Sequence, residues 1–161
     1  IEWLKQNGLI HKLSRIKTPN LPLMAYEEFN IFKIFLNDIG LLSAMCGLQA
    51  KTIIEGNSIF KEFKGALTEQ FVFSELRKNK IYYWTKENGN SEVDFIIEHE
   101  NQVIPIEAKA SENLSSKSFN YFCQNYNIKT AIKTSELPYK KNEIVCNVPL
   151  YAIGCQIKTN S

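Results

Sequence analysis

The chain has 161 residues, of which 44% are hydrophobic and 22% charged, and its formal net charge is +2. These proportions fit one globular domain with room for a small second element, and they exclude wholesale disorder. A net charge this small does not by itself imply a nucleic-acid partner, so any basic surface must come from local arrangement.

The lysines gather in two stretches, Lys78, Lys80 and Lys86, then Lys129, Lys133, Lys140 and Lys141. Acids are interspersed among them, and the plain reading is a solvated face. The four cysteines (Cys46, Cys123, Cys146 and Cys155) form no C-x-x-C pair and have no His cluster nearby. That spacing argues against a zinc site and a disulfide framework, and it points to a reducing, cytoplasmic setting. No stretch approaches the roughly 18 apolar residues of a membrane span, and no signal peptide is visible. The first residue is Ile1 rather than Met, which reads as the C-terminal part of something longer.

In chain order, residues 1–10 look like the last turns of a helix, with Trp3 and Leu4 inward and Gly8 as its stop. His11 to Ile16 alternates as a short strand, broken by Lys17-Thr18-Pro19-Asn20. His11 reads as a surface residue rather than a ligand. A helix stopped by Asn7-Gly8 and followed by a short basic strand is how a winged-helix unit ends. Phe29 to Leu36 is a second strand, Asn37 to Gly40 a turn, and Leu41 to Leu48 a short helix with Gly47 near its end. Gln49 to Ser58 shows no period and reads as a link, which sets the units at 1–48 and 49–161.

A long helix is predicted from Ile59 to Lys78, with Phe60, Phe63, Leu67, Phe71, Val72 and Leu76 at helical spacing. Gly65 inside it costs about 1 kcal/mol relative to Ala. It implies a kink, a start at Ala66, or a close backbone approach. Ile81-Tyr82-Tyr83-Trp84 is β-prone, and its aromatics read as sheet core rather than a base-stacking platform. Glu92 to Glu98 and Val103 to Ala110 alternate like the arms of a hairpin. Ser115-Ser116 caps a helix to about Tyr126 with Phe119, Phe122 and Cys123 inward. Lys129 to Thr134 is a further strand, and Glu143 to Val148 and Pro149 to Ile153 look extended. From Lys64 to Thr134 the order is therefore α-β-β-β-α-β, an α/β (α+β) arrangement.

The hairpin carries the chemistry. A turn centred between Glu100 and Asn101 pairs residues whose numbers sum to 201. Phe95, Ile97, Ile104 and Ile106 then share an apolar face, and Asp94, Glu107 and Lys109 share the other. Two carboxylates opposed across a ladder repel. A divalent cation between them makes the arrangement favourable, because Mg²⁺ takes one or two carboxylates plus waters and phosphate oxygens. Lys109 would face the same site. The plain alternative is a polar face of surface ion pairs worth little. Pro105 removes a ladder donor, a mild objection to the strand.

Asp94 followed by Glu107-Ala108-Lys109 resembles the D…(D/E)-x-K signature of the PD-(D/E)XK nuclease superfamily, whose core order is α-β-β-β-α-β. Val93 stands where that signature has Pro. Lys64 to Glu69 is similar to the helix of archaeal Holliday-junction resolvases, so Glu69 is the matching third carboxylate, with Glu75 as the fallback. A second likeness spans Phe32 to Leu42, Gly65 to Leu76, Tyr83-Trp84, Glu92 to Phe95, Ile104 to Lys109, and Pro149 to Ala152. There the chain resembles the C-terminal domain, of unknown function, in a family of bacterial and archaeal AAA-type ATPases.

Together these likenesses imply a restriction-endonuclease-like core with a mixed sheet flanked by helices, preceded by a small winged-helix remnant. They also imply Mg²⁺ or Mn²⁺ held by Asp94, Glu107 and Glu69, with Lys109 assisting the attacking water. DNA and an N-terminal ATPase domain of the same full-length chain are the implied partners. No G-x-x-x-x-G-K-[ST] occurs, so no ATP site is expected here. The alternatives are a non-cutting module of the same fold that binds DNA or protein, and an oligomerising appendage supported by Tyr82, Tyr83 and Trp84.

Overall fold

A computed structural model describes residues 1–48, 58–87, 89–110 and 116–157. Among these, eight strands form one mixed sheet in the order β2-β1-β3-β4-β5-β6-β8-β7. The strands are β1 (Ile10–Ile16), β2 (Glu27–Leu36), β3 (Ile81–Thr85), β4 (Glu92–His99), β5 (Gln102–Ala108), β6 (Ala131–Ser135), β7 (Lys140–Asn142) and β8 (Val145–Pro149). The helices are α1 (Glu2–Gln6), α2 (Ile39–Met45), α3 (Ser58–Leu76), α4 (Lys117–Asn125) and α5 (Ile153–Gln156). The α-β-β-β-α-β order read from the sequence is thus α3-β3-β4-β5-α4-β6. The predicted link at 49–58 lies outside the described residues except for Ser58, which begins α3; Ser115 also lies outside them.

Alternation along β3 divides the core between the two faces of the sheet. Tyr83 joins one cluster with Leu13, Phe35, Val72, Phe73, Leu76, Phe95, Ile97 and Ile106, beneath α3. Tyr82 and Trp84 join the other with Ile16, Val93, Ile96, Phe119, Phe122 and Cys123, beneath α4. All three aromatics are buried, so they are core and offer no surface to a base or a second chain. Phe73, absent from the predicted helical stripe, is buried and stacks on Phe35 with ring centroids 4.4 Å apart.

The hairpin β1–β2 joins this sheet through parallel pairing of β1 with β3 at Arg15↔Tyr83. Arg15 Nη1 also donates to Thr85 Oγ1 at 3.2 Å. The segment expected as a winged-helix tail therefore contributes two strands to the sheet of the following domain. Gly8, at φ +68°, ends α1 as expected: Gly8 N–H bonds Lys5 O and Leu9 N–H bonds Leu4 O, the paired bonds of a left-handed helix stop. Asp38 caps α2 by accepting the Leu41 N–H at 2.8 Å, and the helix starts two residues before the predicted point.

Several expectations are corrected. Trp3 is 67% exposed and Leu4 also faces out, and no residue of the five-residue α1 is buried. Helix α3 runs through Gly65, and an added Cβ there would meet nothing within 4 Å, so the glycine neither starts the helix nor serves a close approach. Residues 150–153 are helical rather than extended. Ile153, in that helix, and Ile157, just past its end, are both buried in the α3-side cluster. Lys133 is not on a solvated face: it is buried, 8% exposed. Pro105 lies within the β4–β5 register opposite Ile96, one residue before the parallel pairing of β5 with β6 begins at Ile106, and the strand continues through it.

Candidate functional site

The hairpin has the expected register, with Phe95↔Ile106, Ile97↔Ile104 and His99↔Gln102 all summing to 201. The expected shared polar face does not extend through Asp94. Against β3, Tyr82 pairs with Ile96 and Trp84 with Val93, so Asp94 and Phe95 together oppose Tyr83. One extra residue of this kind is a β-bulge, which breaks alternation and re-aims a side chain. The break is visible in the packing: Val93 and Ile96 lie in the α4-side cluster, Phe95 and Ile97 in the α3-side cluster.

At the bulge, Asp94 Oδ2 accepts the Ala108 N–H at 2.8 Å. Its carboxyl is pushed up to about 8, first by burial and then by the charges of Glu107 and Glu69, against the pull of that N–H and of Lys33. Buried like charges make the ionised form costly. Asp94 therefore favours its protonated form even with Lys33 nearby.

Glu107 is on β5, where its ladder partner is Lys133 of β6. It is buried, 5% exposed. Its Oε1 accepts from Ser116 Oγ at 2.8 Å and pairs with Lys109 Nζ at 2.8 Å. Its Oε2 is buried and has no hydrogen-bond partner among the described residues. Ser116 also caps α4 by accepting the Phe119 N–H at 3.3 Å. One hydroxyl thus ties the helix start to the buried acid, so Ser116→Ala should cost about 1–3 kcal/mol in urea unfolding. A loss under 0.5 kcal/mol, on the scale of an ordinary surface change, would show that the tie carries no energy.

Lys109 anchors its backbone by donating its N–H to Thr134 O at 2.8 Å. Lys133 is held below the ordinary lysine range by burial, partly offset by Glu107 and reinforced by Lys109. Glu69, one helix away on α3, is held above the ordinary range by burial; Lys33 opposes this, while Glu92 and Glu107 add to it. Its Oε2 lies 3.8 Å from Lys33 Nζ. Glu75, the fallback, is exposed and lies beside Gly154.

Asp94 and Glu107 therefore lie near enough at the end of the hairpin for their charges to act on each other, Glu107 pairs with Lys109, and the charge of Glu69 reaches both acids. Among the described residues, no group of three His, Cys, Asp or Glu side chains is placed to hold a metal ion. The sequence reading gave Lys33 no role and placed Lys133 on a solvated face. Each is a lone lysine in an apolar strand, within Ile31-Phe32-Lys33-Ile34-Phe35 and Ala131-Ile132-Lys133, and a charge in such a run is the signal that could have found them.

A mixed-sheet α/β domain with a buried acid cluster beside lysines is the class these features define. The family model described as a domain of unknown function (DUF4143) matches residues 64–153, and the chain belongs to that family. A second domain of unknown function (DUF8612) matches residues 1–52. Domains of the first family are commonly found in proteins that contain an AAA ATPase. No curated protein and no solved structure matches the chain.

Proposed function

We propose that this chain is a metal-dependent, nuclease-like domain acting on DNA phosphodiesters, beside an AAA-type ATPase of the same full-length protein. The observation that carries the reading is a bulged hairpin end where Asp94 feels the charge of Glu107, itself paired with Lys109. The α3-β3-β4-β5-α4-β6 order and the likeness to the PD-(D/E)XK signature support it.

The donor chemistry fits Mg²⁺ or Mn²⁺. Asp94 and Glu107 offer hard carboxylate oxygens. Glu107 Oε2 is buried without a partner among the described residues, and a cation would offset the burial and like charge that favour the protonated form of Asp94. Asp94 and Glu107 would hold the ion, and Glu69 would complete the set by a side-chain rotation. When bound, such an ion supplies a Lewis acid and a water that ionises near neutral pH. Lys109, set by its backbone bond to β6, would balance charge on the phosphate and orient the attacking water. Ser116 would hold Glu107 in one rotamer.

The test is cleavage of plasmid and branched DNA with Mn²⁺ by this chain, Asp94→Ala and Lys109→Ala, and by the full-length protein. Cutting that both substitutions abolish is the expected result. Cutting that survives both would place any nuclease activity elsewhere. A second reading, a non-cutting DNA- or protein-binding module, is favoured by one feature: Glu107 Oε1 is already engaged by both Lys109 and Ser116. DNA bound but uncut by the full-length protein would select it.

A further inference from the structure

We infer that Lys33 is the built-in counter-ion of the acidic centre, holding Glu69 until a divalent cation displaces it; this rests on the metal-dependent reading above. Lys33 belongs to β2, in the segment matched by the second family, whereas Glu69, Asp94 and Glu107 lie in the segment matched by the first. The centre is thus completed by a side chain from outside the part that carries its acids.

The approach of Lys33 is fixed by backbone. Gln70, the neighbour of Glu69, accepts the Leu36 N–H at 3.0 Å and donates to Leu36 O at 2.8 Å. Gln70 is buried, and this two-bond clamp pins the end of β2 to α3. Lys33 then reaches two acids at once. It makes a close ion pair with Glu92, and its Nζ lies 5.2 Å from the Tyr83 ring centroid. To Glu69 it stands at 3.8 Å, near the outer limit of an ion pair.

Those unequal distances define the device. Glu92 and the Tyr83 ring keep Lys33 in place if Glu69 leaves, so Glu69 can turn away without stranding a half-buried ammonium. A cation at Asp94 and Glu107 would draw Glu69 by charge, and Glu69 has the rotamer freedom to answer. Without the cation, Lys33 offsets part of the repulsion among three acids. With the cation, Lys33 opposes binding in two ways, by like charge and by competing for Glu69.

The experiment measures Mn²⁺ affinity of the full chain by calorimetry, with electron paramagnetic resonance as a second readout. Lys33→Met should bind Mn²⁺ about tenfold more tightly than wild type, the scale expected for a charge just outside a coordination shell. Lys33→Arg should behave as wild type. In a Glu69→Gln background the gain from Lys33→Met should shrink to about twofold, because the competition is gone and only long-range charge remains. Circular-dichroism melts check folding, and Lys33→Gln replaces Lys33→Met if the latter does not fold.

Unchanged affinity in Lys33→Met, or the same gain in both backgrounds, overturns the counter-ion role while leaving Asp94-dependent metal binding intact. Absence of Asp94-dependent Mn²⁺ binding in every variant removes the metal reading and the counter-ion role together.

Discussion

Asp94→Asn should raise the melting temperature, and the gain should grow as pH rises from about 4 to about 8. The folded-state carboxyl titrates at about 8, against an ordinary value of 3.8. Between those values the folded protein keeps a proton that the unfolded chain has released, so stability falls as pH rises through the window. The contribution of Asp94 is fully present below pH 3.8 and lost as pH passes 8. Asparagine carries no charge, and its amide oxygen can still accept the Ala108 N–H. The gain should be about 5 °C or more at pH 8 and slight at pH 4, given 1.36 kcal/mol per pKa unit and a few degrees per kcal/mol for a chain this size. Mn²⁺ should supply a comparable gain to wild type at pH 8 and little to Asp94→Asn. A variant that melts lower than wild type at pH 8 would mean that the ionised carboxylate is welcome there, and that the acids do not strain one another.

Phe122→Ala should cost about 3–5 kcal/mol in urea-unfolding experiments, the usual range for deleting a fully buried aromatic. Phe122 has no exposed surface. It meets Trp84 edge-on at 5.1 Å and Tyr126 at 5.0 Å, so it joins β3 to α4 through an aromatic trio. Such a loss is a large share of the roughly 5–15 kcal/mol that stabilises a typical domain. A loss near 1 kcal/mol would show that the α4-side core collapses readily around the gap.

Much of this arrangement was legible in the chain, for identifiable reasons. The β4–β5 register was readable because only one alignment buries Phe95, Ile97, Ile104 and Ile106 together. Helix α4 was readable because Ser116, Phe119, Phe122 and Cys123 combine a cap with a helical stripe. The bulge at Asp94 was not readable, since it depends on β3 pairing Tyr82 and Trp84 with partners three apart rather than two. Alternation within one hairpin holds no record of its other neighbour. Lys33 escaped for a similar reason: its partners are 36 and 59 positions away, and no local pattern links a strand near residue 33 to a helix near residue 69. The burial of Lys133 follows from its place opposite Glu107 on adjacent parallel strands, which only the sheet order sets.

The parallel joint between β1 and β3 has a consequence for dividing the protein. Cutting between the two family matches looks natural by similarity, yet it would strip the neighbour from one side of β3. That strand, Ile81–Thr85, would become a bare edge of apolar and aromatic residues, and Phe73 would lose the ring it stacks on. Open edges of this kind recruit strands from other molecules. The sheet ends at β7 in a different manner, with a three-residue strand bearing exposed Lys140 and Lys141, which discourages addition. Solubility of the shorter piece therefore depends on a hairpin that similarity assigns to a different unit.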